Sequence, residues 1–461
     1  MSENTRRNVE RIPFTVNGRT YTPPDEPVVV ICVDGSEPAY HEEALAAGRM
    51  PWLAGLRASG AISDWPALSA MPALTNPNNL SIATGHPPRV HGISGNYILD
   101  PDTGEEVLMN DKRFLRVPTI FAVANAVGYD VAVVTAKDKL RRLLGAGLVE
   151  SGPSLEGSGD FVEPVRRGIC FSAEYADSAT ERTNGIGDVL ELVGRPLADV
   201  YSADLSEFVL AAGVKILADR RPDLMYLSLT DYIQHKHAPG SEAANDFYGM
   251  LDHWAQQLHD LGAVVVITAD HGMSAKTDES GRARVIFVQE EVERVLGQEG
   301  IARVILPITD PYTVHHGALG SFASVYLTAD ADAALVGSAL GQLTGIQAVL
   351  TRADASERYG LPADRIGDLV VLAEEGYALG KNAAWHDLSG LDAPLRSHGA
   401  LGELRIPFII NRPLPRPADL PVAHLGDIGE GPTACVYNYD AFWMATTALS
   451  RSGDSVGSVR G

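Results

Sequence analysis

Two side chains that commonly bind metal ions stand next to each other in the segment Asp270-His271-Gly272-Met273. The segment follows an apolar, β-branched run at residues 264–268, which is typical of a buried strand in a parallel sheet. Ligands of open α/β sheets bind beyond the carboxyl ends of the strands. We therefore expect Asp270 and His271 to lie at a binding site. The alternative is a structural pair that is hydrogen-bonded to the local backbone.

Two other predicted strands also end in candidate metal ligands. Residues 27–33 (PVVVICV) lead into Asp34, and residues 224–230 lead into Asp231. His235 follows Asp231 at a spacing of four, which places both side chains on one face of a helical turn. This spacing suits a shared metal ion.

A third predicted strand, residues 131–135, ends in a pair of lysines, Lys137 and Lys139. Cations at the carboxyl end of a strand could bind an anion there. A turn with solvent-exposed lysines explains the same residues, and the local pattern alone favours that interpretation.

A candidate nucleophile, Thr75, lies in a loop that two prolines, Pro72 and Pro77, make stiff. Pro77 suits the first turn of a helix over residues 78–84, with Asn76 as its N-cap. Thr75 would then precede a helix N-terminus, where backbone N–H groups favour an anion.

These positions, together with a late histidine before a glycine, form one set of candidate site residues. The set is Asp34, Thr75, Asp231, His235, Asp270, His271 and His398. Mixed imidazole and carboxylate ligation suits Zn²⁺ better than Mg²⁺ or Ca²⁺. Six such ligands suffice for two three-ligand sites with open positions. Two metals about 4 Å apart can hold both sides of a phosphoryl displacement, and a metal-bound threonine hydroxyl becomes a nucleophile near neutral pH.

The composition limits the classes of partner. With 45% hydrophobic and 21% charged residues, the chain of 461 residues is an ordinary globular protein. Its net charge of −22 argues against nucleic acid or an anionic membrane as a partner. No apolar stretch has transmembrane length, and the N-terminus lacks a signal-peptide core, so a cytoplasmic location is expected. The oligomeric state stays open, with a homodimer as one alternative.

The order of the predicted elements indicates an α/β fold, with a mostly parallel central sheet flanked by helices. After Met273 the pattern changes to a short alternation of helices and strands. We expect a catalytic core at residues 20–275 and 366–461, interrupted by a smaller α+β cap domain at residues 276–365. In this scheme the apolar run at residues 368–373 returns to the central sheet.

Taken together, these motifs resemble the alkaline phosphatase superfamily, and especially its nucleotide pyrophosphatase/phosphodiesterase branch. The shared features are Asp34 after a strand, Pro-x-x-Thr-x-Pro-Asn at residues 72–78, Asp231-x-x-x-His235, Asp270-His271-Gly272-Met273 and His398-Gly399. The resemblance implies an alkaline phosphatase-like fold with two zinc ions. It assigns Asp231, His235 and His398 to one zinc, assigns Asp34, Asp270 and His271 to the other, and makes Thr75 the nucleophile and a further zinc ligand.

Within that branch the chain is most similar to the phosphonoacetate hydrolase family. The similarity rests on the loop at residues 71–79, Gly95-Asn96-Tyr97 and Lys137-x-Lys139. It implies that Asn96 binds the phosphonyl oxygens, that Lys137 and Lys139 bind the substrate carboxylate, and that His235 and His398 also line the substrate site. The implied reaction converts a small anionic phosphonate, phosphonoacetate, to acetate and phosphate through phosphothreonine at Thr75.

The sequence leaves three alternative functions open. A phosphodiesterase or nucleotide pyrophosphatase would use the same metals and threonine, but the lysine pair favours a small anionic group. A phosphoglycerate-mutase-like enzyme would need a serine nucleophile and manganese, so Thr75 counts against it. A non-catalytic protein on an inactivated phosphatase fold is disfavoured because competent residues occupy all seven site positions.

Overall fold

The fold is described from a computed structural model, which describes residues 11–149, 168–308, 319–386, 388, 394–421, 424–427 and 432–450. Within these residues, nine strands form one mixed central sheet. In spatial order the strands are His424–Asp427, Pro432–Tyr437, Ser63–Leu68, Arg405–Ile410, Val264–Thr268, Val28–Cys32, Leu224–Ser228, Val131–Thr135 and Ile169–Ser172. The expected α/β class with a large central sheet is confirmed.

The strands from Val264–Thr268 to Ile169–Ser172 run parallel to one another. Their last residues are aligned, because Cys32 pairs with both Thr268 and Ser228, and Ser228 also pairs with Thr135. Loops that follow these strands therefore emerge side by side at one edge of the sheet. That edge is where the sequence places its candidate ligands.

Alternate side chains of each central strand pack into two different apolar layers. Val28 and Val30 belong to the layer on one face of the sheet, whereas Val29 and Ile31 belong to the layer on the other face. Burial of a valine or isoleucine side chain contributes about 1.5–3 kcal/mol. An uninterrupted apolar run is thus the pattern of a strand with helices on both faces.

The α-helices cover both faces of the central sheet, and several of them pack against strands of the smaller sheets. They are Pro38–Ala46, Pro51–Ser59, Thr75–Thr84, Pro88–His91, Ile120–Ala126, Asp138–Leu144, Glu181–Asn184, Val189–Val193, Asp204–Arg220, Tyr232–Lys236, Glu242–Asp260, Val288–Leu296, Ala333–Leu340, Arg352–Tyr359 and Ala441–Trp443. In the described part of the chain, no helix is long and apolar enough to cross a membrane.

Short strands pair in two-stranded ribbons outside the central sheet. These pairs are Phe14–Val16 with Arg19–Tyr21, Tyr97–Leu99 with Glu106–Leu108, Ser274–Ala275 with Arg396–Ser397, and Val285–Phe287 with Ala378–Gly380. The third ribbon joins the segment after His271 to the segment before His398. It therefore brings two distant parts of the chain to the same edge of the central sheet.

A second sheet combines three strands of the segment expected to form a cap, residues 276–365, with one strand that follows it. Its strands, all antiparallel, run in the order Ala302–Ile305, Phe322–Leu327, Leu369–Ala373 and Ile346–Thr351. The expected return of residues 368–373 to the central sheet is therefore wrong, because this strand pairs with Phe322–Leu327 and Ile346–Thr351. We propose that the inserted segment extends to Gly380, which pairs with Phe287, rather than to residue 365.

Candidate metal centre

The candidate ligands lie in two groups at the carboxyl edge of the central sheet. In each group, one ligand atom per residue lies within 4.8 Å of the others. One group consists of Asp34, Asp270 and His271, and the other of Asp231, His235 and His398. The groups adjoin, because the rings of His271 and His398 stack with centroids 3.5 Å apart and an interplanar angle of 9°. The structure thus brings together all six candidate ligands that the sequence predicts.

Gly35 allows the loop that carries Asp34 to pack close to the helix Tyr232–Lys236, which carries His235. Its φ of +70° is a left-handed conformation that favours glycine. A Cβ atom at this position would lie 3.1 Å from Met273 Cε and 3.2 Å from Gln234 Cβ. The absence of a side chain at Gly35 therefore lets the strand-end loops pack closely around the site.

Each candidate ligand histidine is anchored to the backbone through its Nδ1 atom. His271 Nδ1 lies 2.9 Å from Gly272 O, and His398 Nδ1 lies 2.7 Å from Ala73 O. His235 Nδ1 is likewise 3.0 Å from a backbone carbonyl oxygen, that of residue 396. A carbonyl oxygen only accepts, so Nδ1 carries the proton and Nε2 presents a lone pair. Backbone anchoring of this kind fixes both the tautomer and the ring orientation of a metal-binding histidine.

The Nε2 atoms of His271 and His235 each lie close to a carboxylate oxygen. His271 Nε2 lies 3.3 Å from Asp34 Oδ1, a buried atom with no hydrogen-bond donor among the described residues. His235 Nε2 lies 2.9 Å from Asp231 Oδ2, a contact that is attractive when the imidazole carries a second proton. Without that proton two acceptors face each other and repel, and a cation in its place would satisfy both. The donor set of imidazole nitrogens and carboxylate oxygens therefore fits a metal ion such as Zn²⁺.

The carboxylates of Asp34 and Asp231 lie in different electrostatic surroundings. Burial, together with the charges of Asp231 and Asp270, raises the pKa of Asp34 well above its usual value. Burial also acts to raise the pKa of Asp231, but Lys137 and His235 hold it well below its usual value. These opposite shifts indicate that nearby positive charges compensate the carboxylate of Asp231, whereas the carboxylate of Asp34 is not fully compensated.

Thr75 occupies the first position of the helix Thr75–Thr84, after an extended Leu74. The expected N-cap at Asn76 is therefore wrong, and the helix starts earlier than predicted. Pro77 is tolerated at the third helical position because N–H groups in the first turn have no partner within the helix. Thr75 Oγ1 lies 3.3 Å from His271 Nε2, so the hydroxyl faces the first ligand group.

The three candidate substrate-binding residues near the two groups differ in their contacts and in their exposure. Asn96 Oδ1 accepts a hydrogen bond from the Asn76 backbone N–H at 3.0 Å, so Asn96 lies beside the first turn of the Thr75 helix. Lys137 Nζ lies 3.5 Å from Asp231 Oδ1, with 45% of its side chain exposed. Lys139 is exposed in the first turn of the helix Asp138–Leu144. The substrate roles of these three residues remain predictions.

Sequence reasoning missed Arg396, which links the loops of both ligand groups. Its guanidinium is buried and donates to Gln234 O at 2.9 Å and to Met273 O at 3.0 Å. Its own carbonyl oxygen accepts from His235 Nδ1. A single arginine has no local pattern that marks this role, although its position two residues before His398 is a weak signal.

Comparisons with known proteins identify a family and similar solved structures. The family model for type I phosphodiesterase / nucleotide pyrophosphatase matches residues 28–401. Phosphonoacetate hydrolase from Sinorhizobium meliloti 1021, in complex with phosphonoformate, is 50% identical with a TM-score of 0.85, and the match covers 95% of this chain and 99% of that chain. The same enzyme in complex with phosphonoacetate is 49% identical at the same TM-score and coverage.

A more distant structure shares the fold. Murine ectonucleotide pyrophosphatase / phosphodiesterase 5, in complex with AMP, is 17% identical with a TM-score of 0.58. That match covers 92% of this chain and 95% of that chain. The alkaline phosphatase-like fold expected from the motifs is therefore confirmed. From the family model and the close relative, the chain belongs to the type I phosphodiesterase / nucleotide pyrophosphatase family.

Proposed function

We propose that this chain hydrolyses the C–P bond of phosphonoacetate to acetate and phosphate, with two Zn²⁺ ions and Thr75 as nucleophile. The placement of Thr75 Oγ1 at 3.3 Å from His271 Nε2 carries the proposal, because it directs a hydroxyl at one ligand group. Lys137, beside the other group, supports an anionic substrate. The relative from Sinorhizobium meliloti 1021, which was crystallised with phosphonoacetate, supports the choice of that anion.

Asp34, Asp270 and His271 would hold the zinc next to Thr75, and Asp231, His235 and His398 would hold the other. When bound, the two ions would lower the pKa of the Thr75 hydroxyl and offset charge on the phosphonyl oxygens. Asn96 Nδ2 would donate to a phosphonyl oxygen, since Asn96 Oδ1 already accepts from Asn76.

The reaction proceeds in two displacements. Thr75 loses its hydroxyl proton to solvent and its Oγ1 attacks phosphorus. The C–P bond breaks, and its electron pair moves onto the carboxylate-bearing carbon as an enediolate. Lys137 and Lys139 bind this carboxylate where its negative charge grows, which is electrostatic stabilisation of the transition state. Solvent protonates the carbon to give acetate, and water then hydrolyses the phosphothreonine to release phosphate and restore Thr75.

An assay with two phosphonates tests the proposal. Phosphonoacetate should release phosphate, and methylphosphonate should not, because a methyl carbanion has no carbonyl group to accept its electrons. Dialysis against a chelator should remove the activity and Zn²⁺ should restore it. Phosphate release from both phosphonates, or from neither, would contradict the proposal.

The second candidate function is that of a phosphodiesterase or nucleotide pyrophosphatase, which the family match favours. The same ligand groups and Thr75 would serve that reaction. A nitrophenyl phosphodiester distinguishes the two. A higher kcat/KM for the diester than for phosphonoacetate would support the second function, whereas a much lower value would support the first.

Replacement of Lys137 by Met is expected to raise the KM for phosphonoacetate and to lower kcat, because Lys137 binds a carboxylate whose charge grows in the transition state. A hydrogen bond between charged groups contributes about 1.5–3 kcal/mol, so kcat/KM should fall about 10- to 100-fold. Steady-state phosphate release measures the change. A nitrophenyl phosphodiester serves as the internal control because it has no carboxylate. Equal losses for both substrates would mean that Lys137 acts through Asp231 and not on the substrate.

A further inference from the structure

Asn79, in the second turn of the Thr75 helix, contacts both the nucleophile segment and one ligand group. Its Nδ2 donates to Thr75 O at 3.0 Å and to Asp270 Oδ2 at 3.0 Å. The residue is fully buried. One amide therefore joins the backbone of the candidate nucleophile to a candidate metal ligand that lies almost two hundred residues away in sequence.

The orientation of this amide follows from its partners. Asp270 Oδ2 and Thr75 O are both acceptors, so a flipped amide would place its oxygen against two oxygens. On the other side, Asn79 Oδ1 accepts from Tyr226 OH at 2.6 Å and from Ser228 Oγ at 3.0 Å. All four hydrogen-bonding positions of the amide have partners, and Tyr226 and Ser228 come from a rigid central strand.

The Asp270 carboxylate is correspondingly fixed. Its Oδ1 accepts from the backbone N–H groups of Gly35 at 3.2 Å and of His271 at 3.0 Å. With Asn79 on Oδ2, only the remaining lone pair of Oδ2 is left to face a metal ion. Asn79 thus selects which carboxylate lone pair is presented, and from which direction.

We propose that Asn79 is a positioning residue that sets the geometry of the Asp34–Asp270–His271 group relative to Thr75. This inference deepens the proposed function and rests on its metal assignment. Partners of metal ligands typically contribute 10- to 100-fold to metal affinity or activity. Asn79 acts on the zinc site and on the nucleophile at once, because the same Nδ2 group binds both.

Asn79→Asp tests this assignment, since the new side chain has the same shape but sets a negative oxygen against Asp270 and Thr75 O. Chelator competition on the holoenzyme should show one of two zinc ions bound about 10- to 100-fold more weakly. At saturating zinc, kcat should fall while KM changes little, because Lys137 is unaffected. Tyr226→Phe, which removes one of the two donors to Asn79 Oδ1, should weaken the same zinc by about two- to tenfold.

Asn411→Asp is the matched control. Asn411 is also buried, and it bonds Val265 N and Ala263 O at the opposite end of the strand that leads to Asp270. This variant should lower the thermal unfolding midpoint and leave both zinc affinities unchanged. Full-strength zinc binding in Asn79→Asp and Tyr226→Phe, or an equal zinc loss in Asn411→Asp, would overturn the proposal for Asn79.

The zinc measurement also separates this proposal from the choice of substrate. If the wild-type chain binds two zinc ions but is inactive on phosphonoacetate, the proposed substrate is wrong and the zinc affinities still decide the role of Asn79. A wild-type chain that binds no zinc would overturn both proposals.

Discussion

Replacement of Thr75 by Ala is expected to lower kcat for phosphonoacetate by on the order of 10³-fold or more, which is the scale for loss of a nucleophile. The zinc content should stay close to that of the wild type, because the six side chains of the two ligand groups are unchanged. Alanine suits the first helical position, so the free energy of unfolding should change little. Phosphate release, atomic absorption and thermal unfolding measure the three quantities.

Thr75→Ser is the matched control for this variant. Serine keeps a hydroxyl at the position that lies 3.3 Å from His271 Nε2, so a substantial part of the activity should remain. Activity of Thr75→Ala within tenfold of the wild type would exclude Thr75 as the nucleophile. Loss of one zinc together with the activity would indicate that the residue serves mainly as a metal ligand.

The parts of the site that the sequence predicts are those whose signal is local. Asp34, Asp231 and Asp270 each follow a central strand within three residues of its end. An apolar strand followed by a carboxylate is visible in any short window of sequence. Because parallel strands present their carboxyl ends at one edge, proximity of the three carboxylates follows from the fold class alone.

The error at the strand Leu369–Ala373 has the opposite origin. Its run of buried apolar residues is equally suited to the central sheet and to the smaller one. The choice of partner depends on pairing with Phe322–Leu327 and Ile346–Thr351, which is a non-local property. The end of the inserted segment could therefore not be predicted from periodicity.

The residues that position the candidate metal ligands are the hardest to predict from sequence. Asn79 and Arg396 each act through hydrogen bonds to segments far away in sequence, and neither belongs to a spacing pattern. Asn79 even stands inside the motif around Thr75, where it is indistinguishable from its neighbour Asn78. Asn78 instead bonds the carbonyl oxygens of the preceding loop. Only the three-dimensional contacts separate the two asparagines.

Replacement of Asp34 by Asn is expected to change activity and stability in opposite directions. With zinc present, turnover should fall by at least about 100-fold, because the amide is a much weaker ligand than the carboxylate. Without zinc, the variant should be more stable than the wild type by about 1–3 kcal/mol. The wild-type metal-free protein buries a carboxylate oxygen that has no donor among the described residues, beside two further carboxylates. Urea unfolding of the metal-free proteins measures the difference.

Asp252→Asn is the matched control, because Asp252 is also a buried aspartate. Its two oxygens accept from the backbone N–H groups of Trp52 and Leu53 at 2.9 Å. Burial still raises the pKa of this carboxyl, but both of its oxygens have donors. The amide of Asp252→Asn would set its NH₂ group against one of these backbone N–H groups, so it should destabilise the chain with or without zinc while leaving turnover intact. A metal-free Asp34→Asn protein that is less stable than the wild type would show that the Asp34 charge is compensated without a cation. Opposite signs for the two variants would instead mark Asp34 as a side chain whose burial only a bound metal makes favourable.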